Sequence, residues 1–332
     1  MTSEKTAYQS ELLFNRLFKR YKHLKKWARR TGTNAFRLYD KDIPEIPLVL
    51  DIYDDAVSGA LYKRPAEGSD ETESEIWLEA MKTAAAKAFE IPESRIFLKE
   101  RRRIRNRQET GDQYDKINDK SFYRDVTEGD LKFRVNLSDY LDTGLFLDGR
   151  KKRALIRNEA QEKRVLNLFA YTCSISVAAA IGGASQVDSI DLSNTYLEWG
   201  KLNFALNGLT LSDKLTLIRT NVLQFLDQAK ARKSRWDIII LDPPSFSNSK
   251  KMLETLDIRR DYRGLIDKSL TLLSPGGTLY FSTNAKGFRL QNEDCPGFNI
   301  KDLRPSLVDE DFREKRTPAC YEIKHLNSAL VF

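Results

Sequence analysis

Short apolar segments alternate with amphipathic segments through the second half of this 332-residue chain. The apolar segments have the length of buried strands, and the segments between them have helical spacing. The predicted strands are 165–170, a segment ending at 191, 215–219, 236–241 and 278–282, and the predicted helices include 194–207, 222–231 and 257–273. This alternation predicts an α/β fold with a doubly wound, mostly parallel sheet, in which ligands bind beyond the carboxyl ends of the strands. A last strand over 325–332 is expected at the sheet edge, a position that admits an antiparallel strand.

The first half of the chain has a different pattern. Apolar residues at helical spacing predict one amphipathic helix over 9–31, ended by Gly32. Further predicted elements are strands at 48–53, 56–62 and 95–99, a helix reaching residue 89, and a hairpin of 122–126 with 131–135. The sequence therefore predicts a smaller α+β domain over 1–135, followed by the doubly wound domain over 136–332.

The turn after the first strand of the doubly wound half contains no glycine. It reads Ala170-Tyr171-Thr172-Cys173-Ser174, whereas a dinucleotide site needs glycines that let the backbone approach a pyrophosphate. Asp191 nevertheless ends the second strand, where such folds place a carboxylate on ribose hydroxyls. A ribose-binding acid without a phosphate cradle favours S-adenosylmethionine (SAM) over a nicotinamide cofactor; the alternative is an ordinary βαβ core in which Asp191 has no ligand.

Composition limits the class of protein. Three cysteines without a CxxC pair and only two histidines argue against a metal site and for a reducing compartment. No segment has the length and apolar character of a membrane span, and the N-terminus lacks the pattern of a signal peptide. We therefore expect a cytoplasmic, metal-free protein with no membrane contact.

Positive charge is concentrated in the first half. The net charge is +7, and residues 1–30 alone contain nine Lys or Arg against two acids. A second basic run, with five arginines in seven residues, consists of Arg101, Arg102, Arg103, Arg105 and Arg107 around Ile104 and Asn106. Arginine pairs with phosphates and stacks on bases, so two such runs favour RNA binding over a solvated face.

The segment after the fourth strand, Asp242-Pro243-Pro244-Ser245-Phe246, lies at the predicted ligand edge. Two prolines restrict φ and remove two N–H donors, which leaves a pre-shaped loop with free carbonyls. Phe246 then offers a ring on which an unpaired base can stack. The alternative interpretation is a structural turn before a helix.

Together these motifs resemble the guanine-N7 methyltransferase half of the fused bacterial 23S rRNA methyltransferase RlmKL. The resemblance spans nearly the whole chain and rests on residues 15–17, 26–30, 37–40, 141–148 (LDTGLFLD), 166–169, 195–199, 242–250 (DPPSFSNSK) and 286–289. It implies a class I SAM-dependent fold and methylation of guanine N7 in 23S rRNA. The THUMP module and the guanine-N2 methyltransferase half of the fused enzyme have no counterpart in this sequence, which leaves room for a partner protein that supplies them. Gly149 and Asn221 stand where the family has His and Asp.

These considerations define the candidate site. The residues expected to bind SAM are Asp148, Arg150, Asn167, Phe169, Tyr171, Thr172, Asp191, Leu192, Ser193, Asn221, Val222 and Asp242. The residues expected to act on the substrate are Asp242, Pro243, Pro244 and Phe246. N7 of guanine has an in-plane lone pair and can attack the methyl group in line without losing a proton, so catalysis would depend mainly on orientation and on stabilising the cationic purine.

Three other functions remain as alternatives. Cytosine-C5 methylation needs a thiolate after the fourth or fifth strand, but Cys173 lies in the cofactor turn and Cys295 and Cys320 are far downstream. Guanine-N2 methylation also uses Asp-Pro-Pro-aromatic motifs, although here Ser245 is inserted before the aromatic residue. A non-catalytic RNA-binding protein on the same fold is the third.

Overall fold

A computed structural model describes residues 3–62, 71–101, 116, 118–247, 256–313 and 317–326. The chain divides into two compact units, Met1–Leu147 and Asp148–Phe332. Segment 136–147, which we assigned to the second domain, therefore belongs with the first unit. Its hydrogen bonds give the reason, because Asp139 and Ser138 accept the N–H groups of Ser121 and Phe122 at 2.9 and 3.0 Å, and Thr143 contacts the Tyr53 hydroxyl at 2.8 Å.

The first unit is an α+β structure. Its elements are α1 (Ser3–Thr31), β1 (Ala35–Asp40), β2 (Leu48–Tyr53), β3 (Ala56–Tyr62), α2 (Glu71–Phe89), β4 (Ile96–Arg101), β5 (Tyr123–Glu128) and β6 (Leu131–Asn136). The sheet order is β1-β2-β3-β4, with β4 parallel to β3 and the other pairs antiparallel. Both helices and the sheet contribute to one apolar core, which includes Leu17, Trp77 and Leu50.

Local deviations from the predicted elements have identifiable causes. Strand β1 was not predicted, and a register shift between Arg37 and Tyr39 disrupts the alternation that would have indicated it. Helix α1 begins six residues before the predicted start. The hairpin strands continue to Glu128, which pairs with Leu131, so only Gly129 and Asp130 form the turn.

The second unit has the predicted doubly wound α/β architecture. Its elements are α3 (Arg150–Glu159), β7 (Arg164–Leu168), α4 (Ser174–Ile181), β8 (Gln186–Asp191), α5 (Asn194–Leu206), β9 (Leu215–Arg219), α6 (Val222–Ala231), β10 (Trp236–Leu241), β11 (Phe246–Ser247), β12 (Leu256–Asp257), α7 (Ile258–Leu270), β13 (Leu273–Thr283), β14 (Phe298–Asp302), α8 (Arg304–Leu307) and β15 (Ala319–His325). The sheet order is β14-β15-β13-β10-β7-β8-β9. Strands β13, β10, β7, β8 and β9 are parallel, and β15 is antiparallel to both of its neighbours.

Two features of this sheet differ from expectation. The antiparallel strand β15 ends at His325 instead of beginning there, residues 327–332 lie outside the described part, and the unpredicted β14 forms the edge. Helix α3 was likewise not predicted from the sequence. Within the described residues, none of the helices combines the length and apolar character needed to cross a membrane.

The sheet order determines where ligands can bind. Strands β10, β7 and β8 are neighbours, and the chain leaves β7 in one direction along the sheet and reaches β10 on its other side. This reversal of strand order creates a crevice at the carboxyl ends of the strands. The turn after β7, Asp191 at the end of β8 and Asp242 after β10 therefore all lie along this edge.

Candidate active site

The turn after β7 is built from left-handed residues that are not glycine. Phe169, Tyr171 and Cys173 have φ values of 58°, 52° and 61°. Such values are uncommon for bulky residues and persist only where the surroundings impose them, most often at functional sites. The absence of glycine therefore leaves a tightly shaped turn, consistent with a site that carries no phosphate cradle.

Neighbouring elements hold this turn in place. The backbone N–H of Tyr171 donates to Asp191 at 2.8 Å, and the Tyr171 ring lies edge-on to Tyr196. The Asn203 side chain of α5 donates to the carbonyl of the buried Thr172 at 2.8 Å. A Cβ atom at Gly200 would lie 2.7 Å from the Cys173 sulfur, so α5 packs this closely only because residue 200 is glycine.

Asp191 is fixed by the backbone on both sides. One carboxylate oxygen accepts the N–H of Tyr171 and the other accepts the N–H of Ser193, each at 2.8 Å. Burial raises the pKa of Asp191, while backbone N–H groups, including that of Leu192, act in the opposite direction. Each oxygen retains a lone pair for a hydroxyl donor, so Asp191 fits the ribose of an adenosyl cofactor.

Two of the predicted SAM-binding residues, Asn221 and Val222, lie at the start of a helix. The Asn221 amide oxygen accepts the N–H groups of Leu223 and Gln224 at 2.9 and 3.4 Å and caps α6, whose first residue is the buried Val222. Ser193 caps α5 in the same way by accepting the Tyr196 N–H. The amide oxygen of Asn221, a residue expected to bind SAM, therefore already has two backbone donors.

Two other predicted cofactor residues have their side chains bound to protein groups. Asn167 is buried and donates to the Ser176 hydroxyl at 2.9 Å. The Arg150 guanidinium contacts Asp309 and Asp311 at 2.9 and 3.0 Å. A cofactor contact from either residue would use backbone atoms or require these bonds to be exchanged. Asp148 lies in a short 3-10 helix, Leu147–Gly149, immediately before α3.

Asp242 forms a partly buried polar cluster that the sequence did not indicate. Its carboxylate contacts the Lys152 ammonium of α3 at 2.6 Å, and Lys152 also contacts the Ser282 hydroxyl of β13 at 2.9 Å. Burial alone would raise the pKa of Asp242, but the Lys152 charge and the hydrogen bonds from Lys152 and Ser282 outweigh burial and lower it. Asp242 is therefore held as a carboxylate.

The remaining predicted catalytic residues follow in the same loop. Pro243 is buried, Pro244 is half-buried, and Phe246 is half-buried in β11, where it pairs with Asp257 of β12. The N–H of Ile258 donates to the Ser245 carbonyl at 3.3 Å and ties the loop to α7. The loop thus carries the Phe246 ring four residues after the fixed Asp242 carboxylate. Between them, Pro243 and Pro244 have no backbone N–H to donate.

All three cysteines are buried thiols. Burial raises the pKa of Cys173, and raises the pKa of Cys295 to about 11 and that of Cys320 to about 12. Cys320 is nearer to the site than we expected, since it pairs with Ser282 across β13 and β15. Because the thiolate is the nucleophile, these thiols are poor candidates for attack on a pyrimidine.

We therefore predict that Cys320→Ala and Cys173→Ala each retain methylation activity within about threefold, since no thiolate participates. Initial rates with saturating SAM measure this, and a thermal melt of each variant separates instability from lost chemistry. Complete loss of activity in a folded variant of either type would contradict the assignment.

The predicted RNA-binding arginines are described only in part. Arg101 is the last residue of β4, with its backbone paired to Tyr62. Arg102, Arg103, Arg105 and Arg107 lie outside the described residues. Among the residues that are described, no group of three or more His, Cys, Asp or Glu side chains could hold a metal ion.

Comparison with known proteins identifies the family. Residues 48–292 match the family model of S-adenosylmethionine-dependent methyltransferases. Over 316 residues the chain is 44% identical to ribosomal RNA large subunit methyltransferase K of Neisseria meningitidis serogroup B, which covers 94% of this chain and 86% of the relative. The chain belongs to the methyltransferase K family. The predicted resemblance, fold class and SAM cofactor are thereby confirmed.

Other members and structures extend the comparison. Ribosomal RNA large subunit methyltransferase K/L of Methylococcus capsulatus is 42% identical over 321 residues, and the chain spans 43% of that relative's length. A SAM-dependent methyltransferase structure from Streptococcus mutans has a TM-score of 0.72 at 25% identity, covering 95% of this chain and 81% of its own. A further methyltransferase structure, with SAH bound, has a TM-score of 0.73 at the same identity and coverage. The methyltransferase K family member described here is therefore a SAM-dependent enzyme.

Proposed function

We propose that the protein methylates N7 of a guanine in 23S rRNA. The names of the K and K/L relatives support large-subunit rRNA as the substrate. The observation that carries the choice of N7 is the Lys152–Asp242 pair, which keeps a carboxylate ionised at the edge of the sheet where the cofactor residues converge. An anion at this position suits an acceptor that becomes positively charged.

SAM, when bound, supplies a methyl group on a positively charged sulfur. Asp191 would hold its ribose, and the turn from Phe169 to Cys173 would shape the space around it. On the acceptor side, Asp242 and the Pro243 and Pro244 carbonyls would stabilise the positive charge that appears on the purine. None of these groups has to remove a proton, because N7 presents a lone pair directly.

Phe246 completes the proposal as the platform for the target base. A guanine drawn out of an RNA helix loses stacking energy of a few kcal/mol, and stacking on an aromatic ring offsets about 1–3 kcal/mol of that cost. The half-buried Phe246 ring follows Asp242 by four residues and is anchored by the β11–β12 pairing.

Guanine N2 and cytosine C5 are less well supported. A C5 reaction needs a thiolate, and the raised pKa values of the buried cysteines oppose one. Methylation of the N2 amine releases a proton, for which a carboxylate of lowered pKa is a weak acceptor. Family membership also separates this chain from non-catalytic RNA-binding proteins.

The experiment uses purified protein, SAM and 23S rRNA freed of its proteins. Methylation at N7 makes the glycosidic bond labile, so reduction followed by aniline should cut the RNA at one site. Modified RNA that carries N2-methylguanine or 5-methylcytosine, with no induced scission, would refute the N7 proposal. Adding cell extract tests whether a partner protein has to deliver the rRNA.

The arginine run is proposed to contact RNA through phosphates. Changing Arg101, Arg102 and Arg103 to Ala should weaken rRNA binding and flatten its salt dependence by up to about 0.9 logarithmic units per lost phosphate contact. Filter binding across a salt series measures the slope, and SAM affinity should stay unchanged.

A matched control changes three exposed cations, Arg232, Lys233 and Arg235, to Ala. These residues precede β10 and so lie at the sheet edge opposite the candidate site. Their loss should leave the slope close to that of the unmodified protein. Equal slopes for both triple variants would favour a solvated basic run at 101–103.

A further inference from the structure

We propose that Lys152 and Ser282 are positioning residues that hold Asp242 as a fixed anion facing the acceptor base. The ionised Asp242 carboxylate would thereby favour acceptor atoms that become cationic on methylation over acceptors that must lose a proton. This inference rests on the proposed function and deepens it, because it names the residues that determine the acceptor class.

The geometry of the cluster carries the argument. The Lys152 ammonium lies 2.6 Å from one Asp242 oxygen and 2.9 Å from the Ser282 hydroxyl, and Ser282 also lowers the pKa of Asp242. The lysine side chain is 11% exposed and the aspartate side chain 35% exposed. The ammonium therefore lies behind the carboxylate, and the negative end of the pair faces outward.

The groups around Asp242 on α3, β13 and β15 are positively charged or neutral, which suits an ionised carboxylate. Burial acts to lower the pKa of Lys152 on α3, but Asp242 outweighs burial and raises that pKa, with a smaller contribution from Asp148 before α3, so Lys152 supplies the positive charge. Ser282 on β13 supplies a neutral hydroxyl. Cys320 on β15 is a buried thiol whose pKa is raised to about 12, so it stays neutral at physiological pH.

Proton balance explains the selectivity. In N7 methylation the carbon–nitrogen bond forms as the sulfur–carbon bond breaks, and the positive charge moves from sulfur to the purine with no proton released. Methylation of an exocyclic amine forms the same kind of bond but must also discharge a proton. A carboxylate held ionised by Lys152 stabilises the first product and accepts a proton poorly for the second.

Removing the lysine charge should change both rate and pH dependence. In Lys152→Met, burial acts on Asp242 without its counter-charge, so the carboxylate pKa rises and the anion is lost as pH falls. We expect the turnover rate at neutral pH to drop at least about tenfold, with SAM affinity changed less than about twofold. With SAM saturating, activity of the variant should also decline towards mildly acidic pH, where the unmodified protein keeps Asp242 ionised.

Three further variants serve as controls. Lys151→Met removes the neighbouring lysine, which contacts the Val308 carbonyl and not Asp242, and should leave rate and pH profile unchanged. Lys152→Arg keeps the charge and should recover much of the lost rate. Ser282→Ala removes the hydrogen bond that the Ser282 hydroxyl accepts from Lys152 and should lower the rate about threefold to tenfold. This variant tests the positioning role if Lys152→Met does not fold.

The readouts separate two kinds of failure. A Lys152→Met protein, or a Ser282→Ala protein in its place, with the unmodified rate and pH profile would overturn this inference, even if the product is 7-methylguanine. A product other than 7-methylguanine, identified by the scission assay, would overturn the proposed function and with it the acceptor selectivity inferred here.

Discussion

Asp191→Ala is expected to weaken SAM binding at least about tenfold. Charge-assisted hydrogen bonds contribute about 1.5–3 kcal/mol each, and the predicted ribose contact uses two of them. The variant also removes the acceptor for the N–H groups of Tyr171 and Ser193, so the left-handed turn loses one of its supports. Isothermal titration with SAM measures the dissociation constant directly.

Two comparisons make the result specific. Asp213→Ala removes an exposed aspartate from the same unit and should leave the dissociation constant unchanged. A thermal melt of Asp191→Ala distinguishes a ligand contact from a structural one, since a purely structural role would lower the melting temperature with near-normal affinity. Unchanged SAM affinity in a stable Asp191→Ala protein would rule out the ribose assignment.

Phe246→Ala is expected to reduce rRNA methylation by about five- to 150-fold, which corresponds to the loss of one stacked base at about 1–3 kcal/mol. SAM affinity should stay near normal, because the ring is assigned to the acceptor base. Single-turnover rates with 23S rRNA and a parallel SAM titration test both parts.

Phe298→Ala is a suitable control for the loss of a half-buried ring. Phe298 lies on β14, separated from β10 by two strands of the same sheet, and its ring contacts that of His325 with centroids 4.3 Å apart. Its removal should cost stability without a selective loss of methylation. A Phe246→Ala variant that loses SAM binding to the same degree as methylation would instead place the ring in the cofactor site.

The lowered pKa of Asp242 also predicts how methylation activity depends on pH. A carboxylate whose pKa is depressed stays ionised as pH falls, so the unmodified enzyme should show no loss of activity from Asp242 between neutral and mildly acidic pH. The buried thiols titrate far above neutrality and contribute nothing to the profile in that range.

Local patterns in the sequence were sufficient for many of the regular elements and for the sheet edge where the candidate residues lie. The bounds of β2, β3, β9, α6 and β10 agree with prediction, because strand runs of apolar and β-branched residues and helix stops are encoded within a few residues. The order of strands and helices then determines a parallel sheet, and such a sheet places Asp191 and Asp242 at one edge.

Tertiary structure decided how those residues are held. Lys152 lies 90 positions before Asp242 and Ser282 lies 130 positions after Lys152, so no local pattern could link them. The Asn221 oxygen caps α6, and Arg150 pairs with two distant aspartates, although their residue types alone suggested ligand contacts. Residue types and strand order thus predict where the candidate site lies. The charge state and orientation of Asp242 depend on side chains that only folding brings within hydrogen-bonding distance.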